Sequence, residues 1–222
     1  MHYKEEFITF LVQCKALKFG EFKLKSGRIA PYFINTGMFD TGAKIRALGQ
    51  YYAKAVQAHF GDNFDGIYGP AYKGIPLCIT TAAALAEAGV DKGYVFNRKE
   101  AKTYGDKSTV VGMDLSGQTR LILVDDVITS GKAIRESLEV LKHNSDPKVA
   151  GIVISVNRQE KGNTDKNALM EVAETLGIPI FAIVTISEII SFLHNREIDG
   201  QVVLNHDMTD KIQAYLSEYG AK

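Results

Sequence analysis

Apolar residues recur along this chain in two rhythms, one helical and one strand-like, and the switches between them place the elements. Residues 3–18 set Phe7, Phe10, Leu11, Cys14 and Leu17 on one face of a helix. After Gly20, segments 21–25 and 31–35 read as short strands around a Ser26-Gly27-Arg28 turn. A helix is expected over roughly 42–59, and beyond it the pattern becomes regular. Strands at 65–69, 93–97, 121–124, 149–156 and 180–185 alternate with helices at 75–88, 132–143, 165–176 and 187–195. An amphipathic helix closes the series at 209–219. Strands that are apolar on both faces, alternating with helices, predict an α/β fold with a mostly parallel, twisted sheet flanked by helices.

Two segments stand outside the repeat. Residues 1–40 precede the first strand–helix unit and are expected to form a small N-terminal hood. Residues 98–118 show little apolar periodicity and far exceed the usual connection of about 4–6 residues, which marks a functional or mobile loop. No repeat, low-complexity tract or linker divides the chain, so residues 1–222 read as a single domain.

Composition removes several function classes. Lys+Arg and Asp+Glu number 26 each, a neutral balance that disfavours a protein holding nucleic acid by phosphate neutralisation. Hydrophobic residues at 45% suffice to order the chain without staples. Cys14 and Cys78 form no CxxC pair and read as buried thiols in a reducing compartment. The histidines show no ligand spacing, so no protein metal site is expected. No run nears the about 18 apolar residues of a membrane span, and the apolar stretch at 7–12 is too short for a signal peptide. The expectation is a cytoplasmic protein with neither membrane nor nucleic-acid partners.

In open α/β sheets ligands bind beyond the carboxyl ends of the strands. There the run Leu121-Ile-Leu-Val-Asp125-Asp126-Val127-Ile128-Thr129-Ser130-Gly131-Lys132-Ala133 brings two adjacent carboxylates to the end of an apolar strand. A turn and a helix start follow, and their backbone N–H groups suit a monophosphate. The carboxylates would repel that phosphate unless they face sugar hydroxyls, a developing cation or a metal-bound water. The plainer alternative is that Asp126 or Thr129 only caps the helix. A nucleoside-triphosphatase loop is excluded, because Asp126 stands where its first glycine belongs and Ala133 where its Ser/Thr belongs.

The run resembles the phosphoribosyl pyrophosphate signature of the type I phosphoribosyltransferases. Four further segments, in the same order along the chain, resemble the orotate phosphoribosyltransferase family. They are Leu24–Asn35 for its substrate hairpin, Gly69–Pro76 for its pyrophosphate loop, Asn97–Lys102 for the start of its mobile catalytic loop, and Asn157–Glu160 for its strand-end arginine motif. The resemblance spans about residues 20–160 and implies a type I phosphoribosyltransferase fold. It also implies transfer of a phosphoribosyl group to orotate, giving orotidine 5'-monophosphate and pyrophosphate in pyrimidine biosynthesis.

Carried over position by position, it implies that Lys25, Tyr72, Lys73, Arg98 and Lys102 contact phosphoribosyl pyrophosphate. Lys99 would reach the neighbouring site of a homodimer. Tyr104, Val127 and Ile128 would also contact phosphoribosyl pyrophosphate, and Thr129, Ser130, Gly131, Lys132 and Ala133 would bind its monophosphate, with Asp125 and Asp126 on the ribose hydroxyls. Lys102, Asp125 and Asp126 are the expected catalytic residues. Phe33, Ile34, Thr129 and Arg158 would hold orotate, Arg158 by its carboxylate. Mg²⁺ would arrive on the substrate diphosphate, with no direct protein ligand.

Two departures stand out: Ile34 replaces a second aromatic, and Tyr104 occupies the place of a histidine and can donate a hydrogen bond but not supply a cation. Each motif has a plainer reading as well. A basic turn at Lys25 and Arg28 or a charged loop at 98–107 can simply be solvated. Arg158, whose planar fork suits a carboxylate, can instead pair with Glu160. Two rival functions share the Asp-Asp run. A purine phosphoribosyltransferase leaves the Lys-Ser-Gly-Arg hairpin and Arg158 unexplained. A regulatory protein that senses phosphoribosyl pyrophosphate would need a basic surface or an added nucleic-acid-binding unit.

Overall fold

A computed structural model describes residues 2–24, 27–99, 109–128, 131–162 and 164–221. The chain opens with α1 (Tyr3–Gln13), which buries Phe7, Ile8 and Leu11. This helix is shorter than its apolar rhythm predicts. Lys15 adopts φ 56°, and the N–H groups of Lys15 and Ala16 turn back to the carbonyls of Val12 and Leu11, closing the helix. Leu17, expected on the helix face, is therefore the first residue of β1 (Leu17–Lys23) and is buried from there. The strand pairs antiparallel with β2 (Ile29–Ile34), which sits closer to the predicted hairpin, and the register shifts between Phe19 and Phe22. A 3₁₀ turn at Thr36–Met38 leads to α2 (Gly42–Phe60), whose Thr41 cap accepts from the Lys44 N–H.

The remaining elements are β3 (Gly66–Gly69), α3 (Gly74–Glu87), β4 (Gly93–Asn97), β5 (Val110–Gly112), β6 (Arg120–Asp125), α4 (Lys132–Lys142), β7 (Lys148–Asn157), α5 (Ala168–Leu176), β8 (Ile180–Thr185) and α6 (Ile186–Leu193). A two-stranded hairpin of β9 (Glu197–Ile198) and β10 (Gln201–Val202), which the sequence pattern does not announce, precedes α7 (His206–Tyr219).

The central sheet has the order β5-β4-β3-β6-β7-β8, and β1–β2 lies outside it. Every pairing is parallel except β4 with β5. The segment expected to be one loop over 98–118 thus contains a short edge strand. Its three residues, Val110 to Gly112, are too few to show a period of two.

Side chains of β6 alternate between two cores. Ile122 and Val124 face the layer holding Phe7, Tyr52 and Ile183, while Leu121 and Leu123 face that holding Tyr68, Ile134 and Leu169. All four are fully buried. Packing on both sides holds β6 in place, because a one-residue slip would force each side chain into a space shaped for its neighbour. It also fixes where the strand ends, and with it Asp125 and Asp126.

Candidate active site

At the carboxyl end of β6, Asp125 and Asp126 are 8% and 7% exposed. Their backbone is pinned from both neighbours. The Tyr52 hydroxyl donates to the Asp125 carbonyl at 2.8 Å, and the Ser155 hydroxyl donates to the Asp126 carbonyl at 2.6 Å. Asp125 Oδ1 accepts from the Asp126 N–H at 2.9 Å. Burial pushes the Asp125 carboxyl up to about 6, opposed by that hydrogen bond.

Asp126 is engaged differently. Its Oδ1 accepts from the Val127 N–H at 2.8 Å, and its Oδ2 accepts from Lys73 Nζ at 2.7 Å and Thr36 Oγ1 at 2.9 Å. One carboxylate thus joins the pyrophosphate-type loop and the hood-side turn. Thr36 carries no periodic or motif signal, and sequence reasoning missed it. Beside this junction a cleft of about 420 Å³ is bounded by Thr36, Phe39, Leu48, Lys73, Leu77 and Asp126.

The loop between β3 and α3 is built on close approach. A Cβ on Gly69 would stand 2.0 Å from the Gly74 carbonyl oxygen, and one on Gly74 would stand 2.5 Å from Pro70 Cδ. Asn97, at the end of β4, accepts through Oδ1 from the Ala71 N–H at 2.8 Å and the Tyr68 hydroxyl at 3.1 Å, tying the neighbouring strand end to this loop. Tyr72 is 67% exposed, and Lys99 Nζ lies 4.9 Å from its ring centroid. The structure thus brings Tyr72 and Lys99 together within one chain, and Lys73 with Asp126. Arg98 is half-buried, its N–H donating to the Thr109 carbonyl at 2.7 Å.

Beyond Asp126, Val127 and Ile128 are half-buried, and Ile128 packs on the core of the α4 side. Gly131 adopts φ 68° at the start of α4, where no side chain caps the helix. Lys132 and Ala133 are exposed in the first turn. The expected site residues Lys25, Lys102, Tyr104, Thr129 and Ser130 lie outside the described residues.

In β2, Phe33 is 37% exposed and stacks on Phe22 with ring centroids 5.5 Å apart, while Ile34 packs toward the main core. Consecutive strand residues take opposite faces, so the two do not present one continuous surface. Arg158, the first residue past β7, forms an ion pair with Glu160: Nε and Nη2 donate to Oε1 at 2.9 and 2.6 Å. Its guanidinium also lies over the Tyr32 ring, 4.8 Å from the centroid. The pairing that the sequence left as an alternative to carboxylate binding is present.

Among the described residues, no three His, Cys, Asp or Glu side chains gather as a metal cage. Two adjacent carboxylates, one already hydrogen-bonded to a lysine, suit a hard cation that brings its own oxygens. Among the described residues, no helix is long and apolar enough to cross a membrane.

Residues 37–187 match the phosphoribosyl transferase domain family. The chain is 45% identical over 221 residues to an orotate phosphoribosyltransferase of Clostridium botulinum (strain Alaska E43 / Type E3), covering 99% of each protein. It is likewise 45% identical over 219 residues to an orotate phosphoribosyltransferase of Vibrio atlanticus, covering 98% of each. The crystal structure of the Francisella tularensis orotate phosphoribosyltransferase superposes with a TM-score of 0.83 at 37% identity, covering 97% of this chain and 99% of that one.

Proposed function

The chain belongs to the orotate phosphoribosyltransferase family, and from that premise we propose how its type I phosphoribosyltransferase fold moves the 5-phosphoribosyl group from phosphoribosyl pyrophosphate to orotate. At the anomeric carbon the bond to the diphosphate oxygen breaks and a bond to a ring nitrogen of orotate forms. Orotidine 5'-monophosphate and pyrophosphate result, and the nitrogen loses its proton. The observation that carries this reading is the buried Asp125–Asp126 strand end with Lys73 at hydrogen-bond distance.

No nucleophilic side chain is required, because catalysis comes from positioning and from charge stabilisation at both ends of the breaking bond. Asp125 and Asp126 take the ribose hydroxyls and favour positive charge on the ring. Lys73, Tyr72, Arg98, Lys99 and Lys102, with Lys25 and Tyr104, face the diphosphate. The turn from Thr129 to Ala133 anchors the 5'-monophosphate. Arg158, with Phe33, Ile34 and Thr129, holds orotate. Asp125 and Asp126 would hold Mg²⁺ indirectly, as it arrives with the substrate, and the ion would supply further charge neutralisation there. Of the segment 98–118, the part ahead of β5 closes over the bound substrates and excludes water. The chain acts as one domain in a cytoplasmic homodimer, with Lys99 serving the neighbouring site.

The test follows orotate absorbance on mixing protein, phosphoribosyl pyrophosphate and Mg²⁺, with hypoxanthine and adenine as parallel acceptors. Orotate is consumed, the purines are not, and chelation of Mg²⁺ stops turnover. Purine conversion, or binding of the sugar diphosphate without turnover, overturns the reading.

A further inference from the structure

Glu160 has no part in the chemistry above, yet it gathers more side chains than either catalytic carboxylate. Its Oε1 accepts from Arg158 Nε and Nη2, from the Tyr32 hydroxyl at 3.0 Å and from the Tyr215 hydroxyl at 3.1 Å. Its Oε2 faces Arg28 Nη2 at 3.4 Å. These donors come from three separate parts of the chain: the strand end of β7, the hood and α7. The Glu160 side chain is only 11% exposed. Backbone bonds close the same junction, with the Lys161 N–H donating to the Tyr219 carbonyl and the Ala221 N–H to the Gln159 carbonyl, both at 2.9 Å.

The geometry of the fork gives this junction a use. Glu160 takes the Nε–Nη2 edge of the Arg158 guanidinium, and the Tyr32 ring covers one face. A guanidinium has a second edge, Nη1–Nη2, and a carboxylate fits it with two parallel hydrogen bonds. With one edge and one face fixed, the plane of Arg158 can no longer turn, and the direction of the second edge is set.

We propose that Glu160 is a positioning residue for the acceptor base: it sets the plane of Arg158 so that the free edge meets the acceptor's carboxylate. Through Tyr215 it makes α7 part of the acceptor site. The proposal rests on Arg158 as the group that binds the orotate carboxylate, and the test separates the two.

The Michaelis constants for orotate and for phosphoribosyl pyrophosphate are measured for Arg158→Met, Glu160→Ala, Glu160→Gln and Tyr215→Phe, and for Glu160→Ala combined with Arg158→Met. Glu160→Ala raises KM for orotate about tenfold, while KM for phosphoribosyl pyrophosphate and kcat stay within about threefold. Glu160→Gln, which keeps an acceptor oxygen, falls between parent and alanine variant, and Tyr215→Phe raises KM for orotate about threefold. In the Arg158→Met background, Glu160→Ala adds nothing further.

If Arg158→Met leaves KM for orotate at the parent value, the carboxylate-binding reading of Arg158 is lost. If Arg158→Met raises it strongly but the Glu160 and Tyr215 variants do not, the positioning role is lost. Parallel rises in both Michaelis constants would reduce Glu160 to a stabilising contact and also overturn the proposal. Should Glu160→Ala fail to fold, Glu160→Gln and Tyr215→Phe carry the same decision.

Discussion

Lys73 at the start of α3 and Asp126 at the end of β6 are joined by a 2.7 Å ion pair, so the cation assigned to the diphosphate and the carboxylate assigned to the sugar touch each other. An ammonium has three N–H donors, and one bond to Asp126 leaves others for phosphate oxygens. Under the proposed assignment, Lys73 links the two ends of the reacting bond. Lys73→Ala is expected to raise KM for phosphoribosyl pyrophosphate and to lower kcat, with a combined loss of about ten- to a hundredfold in kcat/KM, the size typical of hydrogen bonds to charged groups. Steady-state kinetics with each substrate varied in turn checks it. A change confined to orotate binding would remove Lys73 from the diphosphate side.

Asp125 is expected to make both activity and stability depend on pH. Its carboxyl lies near 6 in the fold, raised by burial, against an unfolded value near 3.8. Folding thus favours the protonated acid: that contribution is full below about 3.8 and is lost as pH rises through about 6. Ionisation then costs about 3 kcal/mol at neutral pH. Asp125→Asn should raise the melting temperature more at pH 8 than at pH 5. The parent's kcat/KM should fall as pH drops below about 6, where the carboxylate proposed to support positive charge on the ring is neutralised. Thermal melts and a pH–rate profile of parent and variant decide both points.

The pyrophosphate-type loop has no room at its base. Gly69→Ala would drive a Cβ to 2.0 Å from the Gly74 carbonyl oxygen, which belongs to the backbone and cannot swing aside. The variant is expected to lose at least about 2 kcal/mol of stability by overpacking. In whatever folds, phosphoribosyl pyrophosphate should bind more weakly. Urea denaturation and titration calorimetry measure the two effects.

A shared site can be tested by mixing. Lys99→Ala and Asp126→Asn are each expected to be nearly inactive. If Lys99 serves its neighbour, hybrid dimers formed by random exchange contain one intact site, restoring about a quarter of the parent's activity. No recovery on mixing would confine Lys99 to its own chain, where it already lies over Tyr72.

Cys78 is fully buried in α3, and burial pushes its thiol up to about 12. Iodoacetamide should leave Cys78 unmodified in the native protein and label it on unfolding, as peptide mass analysis would show. Labelling at the native rate of a free thiol would contradict the packing of α3 against β3.

Elements long enough to show their period were legible in the sequence. Leu121 to Val124 could only be a strand covered on both sides, and the place of Asp125 and Asp126 follows from it. Residues 3–18 misled for the opposite reason, since Leu17 continues a helical spacing although the chain has already turned at Lys15. The three residues of β5 carry no period at all. The roles of Thr36, Asn97 and Glu160 arise from contacts between distant parts of the chain, which one sequence does not display. Tyr215 and Glu160 are 55 positions apart and meet through one hydroxyl. The family resemblance sets Phe33 and Ile34 against one ligand, whereas strand geometry sends adjacent side chains to opposite sides.

The short antiparallel strand β5 sets the distance between two positions eleven residues apart in the chain. Arg98 and Thr109 are joined by a backbone hydrogen bond where the β4–β5 pairing ends, so the two ends of the connection between them are held together. Doubling the length of such a segment costs only about 0.6 kcal/mol in closure entropy. With both ends held, a change in the length of that connection is expected to leave Asp125 and Asp126 where they are.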